Sequence, residues 1–474
     1  MPRRSSLLAL LALSFCAPLH AQLYVDGFDP PNIEPLFPQS GGVYQLPPGP
    51  TADQLQWLMG ELAAGETTTV AEVNAHFDPA WLSQTNVAQT QAFIQSVRSS
   101  YPNAVITDVV SLTPVRATLV IDSPGSGPPY GFMPFGTRYT NGGLIVQFGV
   151  STYGGSVQYP EDQGLSLAQA ADKFATLSPS PSLLIGRING SGQCTALQDR
   201  NANTPRATAS VFKIWVLGGL GEAIVDGDIA STDILPMVAS EIAPGGTINS
   251  EPLNTPFPVA DLARLMIGIS DNTATDLLHE RVGRDRLDAL VPAWGVAQPE
   301  LLTPFLGISE QFHVFRSFNL NDALSFVNGT QPFKYTFLHD RIEPLGPNTG
   351  GPFFHTQLLT DGTWRASPYD ICRAFAKLRR LPQGSEAFKT VDSALGAGVA
   401  QPDVRARWDR VWYKGGNLAS GAGDHVLTHA WMLENAGEDP YVVIALSNNP
   451  SGGIDTFKIQ SITGRMLELL SMSL

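Results

Sequence analysis

From Thr51 onward the chain alternates between two hydrophobic periods. TADQLQWLMGELAA, VAEVNAHF and VAQTQAFIQSVRSSY repeat apolar residues at helical spacing, the first behind a capping-type Thr51. AVITDVVSL, RATLVIDS and GGLIVQFGVS then read as strands. Helices followed by a meander predict a helix-covered antiparallel sheet, a small α+β module over residues 51–150. STYGGSVQYPEDQG, rich in Gly, Pro and Ser, separates it from a second domain over residues 165–474. That domain opens with a helix and the strand SLLIGRI and runs through a long, mostly helical middle. It closes with the strands RVWYKGG, HVLTHAWMLEN and YVVIALSNN and the helix DTFKIQSITGRMLELLS. Strands at both ends of one segment predict an antiparallel sheet assembled from distant chain parts, plus an inserted helical lobe. The crevice between sheet and lobe is the natural place for a site. The fold class is α+β, with no internal repeat.

Upstream, MPRRSSLLALLALSFCAPLHAQ has a positive start, a short apolar run and Leu19-His20-Ala21 before Gln22. This reads as a secretory signal peptide over residues 1–21, too short to span a bilayer. A buried N-terminal helix would carry Arg3 and Arg4 beside it and no cap. Phe15, where a lipid-attachment signal wants a small residue, argues against lipidation of Cys16. Residues 22–50, dense in Pro and Gly, read as an extended connector. No later stretch is long and apolar enough for a stable membrane span, so the chain is expected to be exported, periplasmic or secreted. Hydrophobic residues at 43% and charged residues at 15% describe a globular protein. A net charge of −14 repels phosphate backbones and excludes nucleic acid as a partner. Without the signal, Cys194 and Cys372 remain, either as a disulfide or as two separate buried thiols.

Candidate chemistry enters with ATASVFKIWVLGGL, residues 207–220, where Lys213 interrupts an apolar run three positions after Ser210. On a helix the two share a face, and Ser210 falls near the N-terminus, which favours developing negative charge. Burial lowers a lysine's pKa, and such a lysine can take a proton from a serine hydroxyl. A lysine snorkelling to the surface is the plainer alternative. Ser270-Asp271-Asn272 sits between two helical stretches, where such residues also serve as N-caps. Lys414 ends an apolar strand before Gly415 and Gly416, which equally describes a strand running into a Gly-rich turn. His425 and His429 lie on one predicted strand, about 13 Å apart, too far to share an ion. No Gly-x-Ser-x-Gly elbow is present, and no metal or cofactor is called for.

In order and spacing, Ser-x-x-Lys, Ser-Asp-Asn and a strand-borne Lys-Gly-Gly resemble the class A β-lactamase and penicillin-binding-protein group over roughly residues 165–474. Within it the chain is similar to serine hydrolases carrying a small module of steroid-isomerase or cystatin-like shape, as in clavam biosynthesis. The resemblance implies a serine acyl hydrolase acting on a small-molecule lactam, amide or ester. Ser210 would be the acylated nucleophile, Lys213 its base and Ser270 a proton relay. Asn272 would hold Lys213 and a substrate amide, and Lys414 would attract a substrate carboxylate. Backbone N–H groups of Ser210 and Asn417 would form the oxyanion hole, with Gly415 and Gly416 allowing close approach. The strand motif lacks the usual hydroxyl after Lys414, and no Glu-x-x-Leu-Asn follows Ser270. Glu310, in GISEQF, and Glu300 are the nearest substitutes for the deacylating glutamate, so lactam turnover is expected to be weak or altered. The alternatives implied are a non-hydrolytic penicillin-binding sensor and a D-Ala-D-Ala carboxypeptidase.

Overall fold

The computed structural model of the chain describes residues 33–40, 43–126, 129–152, 158–348 and 350–472. The signal peptide read over residues 1–21 lies outside the described residues. Two short paired strands, Gln39–Ser40 and Val43–Tyr44, precede four helices: α1 (Pro50–Glu61), α2 (Val70–His76), α3 (Pro79–Thr85) and α4 (Val87–Ser100). The helices cover an antiparallel meander of β1 (Val105–Leu112), β2 (Arg116–Asp122), β3 (Gly131–Thr137) and β4 (Ile145–Phe148), in that order. A capping box of Thr69 and Glu72 starts α2. Thr51 is not a cap. Pro50 begins α1, and the Thr51 hydroxyl is buried, donating to the Pro114 carbonyl at 2.7 Å. The segment read as a connector joins the fold by residue 37, because Phe37 and Tyr44 are buried in the core of this front unit. Strand β3 was not expected from its sequence. GFMPFGT contains Gly and Pro, yet Pro134 lies just before the residues that pair with β4, where its missing N–H is tolerated.

The larger unit contains α5 (Leu167–Phe174), β5 (Ser180–Ile188) and β6 (Cys194–Arg200), then the helices α6 (Lys213–Asp226), α7 (Val259–Gly268), α8 (Asn272–Val282) and α9 (Ile308–Arg316). α10 (Pro368–Arg379) and α11 (Glu386–Leu395) lead to β7 (Arg410–Ser420), β8 (Gly423–Glu434), β9 (Tyr441–Asn448) and α12 (Thr456–Ser471). The sheet is antiparallel throughout, in the order β7-β8-β9-β5-β6. Its central strands are buried at almost every position because both faces are covered. Val442, Ile444 and Leu446 of β9 face the helical lobe, while Tyr441, Val443 and Ala445 face α5 and α12. The same alternation sends Lys414 and Trp412 of β7 toward the lobe. Strand β6 escaped sequence reading because CTALQDR is an edge strand with most side chains exposed.

Cys194 on β6 and Cys372 on α10 form a disulfide that joins the sheet edge to a helix 178 residues away. Closing so long a loop removes conformational freedom from the unfolded chain. Reduction, or a Cys194→Ser/Cys372→Ser chain, is expected to lose about 2–5 kcal/mol of stability. The measurement is the urea midpoint with and without reductant, and an unmoved midpoint would show the bridge to be neutral.

Candidate active site

The turn that carries Ser210 is fixed from three sides. Before it, Ala207 exchanges hydrogen bonds with the Asn448 side chain, at 2.8 and 3.2 Å. The Thr208 carbonyl accepts from the Thr428 hydroxyl at 2.8 Å, and the Thr208 N–H donates to the Trp364 carbonyl at 3.0 Å. Behind it, Phe212 stacks on Trp364 with ring centroids 3.8 Å apart. Between these anchors Ala209 adopts a φ of +42°, a strained conformation for a residue with a Cβ. Ser210 then sits in a 3-10 turn, residues 209–212, and α6 begins at Lys213. The expected helix start is thus one turn late, and Ser210 remains partly exposed at the mouth of a buried lysine.

Lys213 does not snorkel. It is fully buried, and its Nζ donates to the Ser270 carbonyl at 2.7 Å, the Ser270 hydroxyl at 3.2 Å and Asn272 Oδ1 at 2.7 Å. Lys414 is also buried, and its Nζ donates to the Ser270 hydroxyl at 3.0 Å and the Gly415 carbonyl at 2.6 Å. Two lysines therefore meet one hydroxyl oxygen. Burial pushes the Lys213 amine down to about 7, against the pull of Asp271 and Asp276. Lys414 is pushed well below its ordinary value by burial first and by Lys213 second.

Ser270 itself has a φ of +60° and follows the last turn of α7. Asp271 caps α8, its carboxylate accepting from the N–H groups of Ala274, Thr247 and Ile248 at 2.8, 2.5 and 3.0 Å. Capping and site formation are thus one arrangement: the cap turns the chain so that Ser270 and Asn272 both face Lys213. The Asn272 amide nitrogen donates to the Pro244 carbonyl at 2.6 Å. Gly416 completes the enclosure from the sheet. A Cβ at that position would lie 2.5 Å from the Ser210 backbone nitrogen and 3.0 Å from Ala209 Cβ. Asn417 is exposed on β7, its side chain donating to Asp424 at 3.1 Å. Because β7 is the sheet's edge strand, alternate backbone N–H groups along it have no partner in the sheet.

Glu310 is not brought to this cluster. It caps α9 through the Gly307 N–H at 2.8 Å and pairs with Arg284 at 2.5 Å, and these two partners turn its carboxylate away. Glu300 is exposed. Sequence reasoning missed Asp276, one helical turn beyond Asn272 on α8. It is buried near Lys213, and burial raises its carboxyl to about 7 against two N–H donors, Ile308 at 2.6 Å and Ser309 at 2.9 Å. The i, i+4 spacing from Asn272 was the available signal. His425 and His429 are separately engaged, with Ser420 and with Tyr413.

A family model described as a β-lactamase enzyme family matches residues 191–328, the stretch that holds Ser210, Lys213, Ser270 and Asn272. The large unit carries the β-lactamase-like arrangement of an antiparallel sheet with a helical lobe, preceded by a smaller sheet-containing region. Among solved structures, the chain is similar to a β-lactamase from Sphaerobacter thermophilus, at 18% identity over 65% of this chain and 96% of that one, with a TM-score of 0.45. A β-lactamase from Chitinophaga pinensis is similar at 12% identity over 65% and 98%, with a TM-score of 0.45. PBP-A is similar at 17% identity over 65% and 96%, with a TM-score of 0.43. No curated protein matches the chain.

Proposed function

We propose that this chain is an exported serine acyl hydrolase working through an acyl-enzyme on Ser210. Its substrate is a lactam, an amide or an ester. One observation carries the reading: side chains from three separate segments, Lys213, Lys414 and Ser270, meet within 3.2 Å in a buried cluster beside the Ser210 turn. Lys213, as the free amine, takes the Ser210 proton directly or through water. The serine oxygen bonds to the acyl carbon, and the carbonyl electron pair moves onto its oxygen. The Ser210 and Asn417 N–H groups receive that oxyanion, and one such donor is worth about 2.7–4 kcal/mol of barrier. As the intermediate collapses, Ser270 relays the proton to the leaving group. Water then cleaves the ester, releases the acid and restores Ser210.

In this scheme Asn272 holds Lys213 and meets a substrate amide, and Lys414 attracts a substrate carboxylate. Gly415 and Gly416 let the strand approach the acyl group. The missing hydroxyl after Lys414 weakens carboxylate recognition, and the commitment of Glu310 to Arg284 slows deacylation. That commitment also favours a second reading, a penicillin-binding sensor that keeps its adduct. The disulfide supports export to an oxidising compartment. Four helices over a four-stranded meander support a steroid-isomerase or cystatin-like front unit of the kind joined to such hydrolases in clavam biosynthesis.

The test is intact-protein mass spectrometry after reaction with a panel of lactams and p-nitrophenyl esters, parent against Ser210→Ala. The parent is expected to gain one acyl mass that decays slowly, and the alanine chain none. An adduct that persists in Ser210→Ala would sink the nucleophile assignment. A permanent adduct favours the sensor, and D-alanine release from a D-Ala-D-Ala peptide favours a carboxypeptidase.

A further inference from the structure

The front unit grips the helix and the turn that deliver Ser270 and Asp271. Glu251, buried just after the turn whose N–H groups bind Asp271, accepts from the Tyr139 N–H at 3.0 Å, the Thr140 N–H at 3.2 Å and the Thr140 hydroxyl at 2.5 Å. Arg138, paired with Asp78 inside the front unit, donates to the Ser250 hydroxyl at 2.7 Å. The Tyr139 hydroxyl donates to Asp261 in the first turn of α7 at 2.8 Å. At the other end of α7, a Cβ on Gly268 would lie 2.6 Å from Thr113 Cγ2 and 2.8 Å from Ala397 Cβ. The Leu112 N–H donates to the Ala397 carbonyl at 2.8 Å, and the Val399 N–H to the Val110 carbonyl at 2.9 Å. Helix α7 is therefore held at both ends by residues of the front unit, and Ser270 follows two residues after its last contact.

Ser270 needs such support. A non-glycine residue at φ +60° persists only where its surroundings over-determine it. Within the large unit that support is the Asp271 N–H to the Leu265 carbonyl, at 3.0 Å, and the Asp271 carboxylate to the 247–248 turn. Both run through elements that the front unit clamps. We infer that the front unit is a working part of the acyl-transfer centre, with Tyr139, Thr140 and Glu251 as positioning residues that hold Ser270 and Asp271 in register with Lys213. The inference rests on the serine-hydrolase reading of the site.

The experiment uses the full chain with Tyr139→Phe, Thr140→Val and Glu251→Gln, each nearly isosteric. Single-turnover acylation by a p-nitrophenyl ester is followed against substrate concentration and pH. A 1 Å misplacement can cost about 10²-fold, so partial loosening is expected to slow acylation about tenfold, with half-saturation within about twofold of the parent. Water admitted to the cluster would also move the rising pH limb upward, because burial outweighs Asp271 and Asp276 in setting the Lys213 amine, with Lys414 the other titratable group beside it. Trp81→Phe, which removes a hydrogen bond to Thr90 on α4 and alters none of Tyr139, Thr140 and Glu251, is the control for loss of front-unit stability alone. Parent-like acylation and pH limb in all three variants, or equal slowing in Trp81→Phe, overturns the inference and leaves Ser210 acylation standing. Absence of a Ser210 adduct in the parent overturns the site reading and this inference with it.

Discussion

A Lys213→Met chain is expected to acylate Ser210 about 10²–10⁴-fold more slowly than the parent, the span general-base catalysis ordinarily supplies. Methionine fills similar space but cannot accept a proton. In the parent, acylation should rise with pH through about 7, because burial brings the Lys213 amine to that value and only the free amine can act as a base. Below that midpoint the amine is protonated and the rate falls tenfold per pH unit; above it the rate levels off. In Lys213→Met the limb itself should vanish. The p-nitrophenol burst between pH 5 and 9 reads both effects, with a cooperative melting transition as the control for folding. A methionine chain that keeps the rate and the limb would move the base elsewhere.

Gly416→Ala is expected to cost about 10²–10³-fold in kcat/KM, the usual penalty for losing one oxyanion donor. The new methyl would meet the Ser210 backbone nitrogen at 2.5 Å, and neither side can give way easily. The strand is hydrogen-bonded across Gly416 and Thr428, and the serine turn is tied to Asn448, Thr428 and Trp364. Gly421→Ala, in the adjoining hairpin turn with nothing within 4 Å of the added carbon, should leave the rate unchanged. Steady-state assays on the two alanine chains separate them. A Gly416→Ala rate within tenfold of the parent would show that the contact does not hold the nucleophile.

The sequence disclosed those parts of the site that periodicity controls. Lys414 faces the lobe because it shares a strand parity with Trp412, and Lys213 is buried because its neighbours are apolar all round. It could not disclose the Ser210 turn. The left-handed Ala209 carries no glycine to mark it, since its conformation is imposed by partners more than 150 residues distant, such as Trp364. Strands β3 and β6 were illegible for a related reason. Neither alternates in hydrophobicity, and each is held by its neighbours' hydrogen bonds. Glu310 was plausible by position alone, but Arg284, encoded earlier in the chain, captures its carboxylate. Thr51 looked like a cap because its side chain is polar, whereas tertiary contact with Pro114 claims it.

The order of strands also governs when the Ser210 turn can form during synthesis. Tyr441 of β9 lies opposite Arg187 of β5, 254 residues earlier, and these two strands separate β7 and β8 from the rest of the sheet. The serine turn takes its hold from Thr428 and Asn448, near the end of the chain. The Ser210 turn therefore closes only after Thr428 and Asn448 have been made, 220 and 241 residues after the backbone groups they bind.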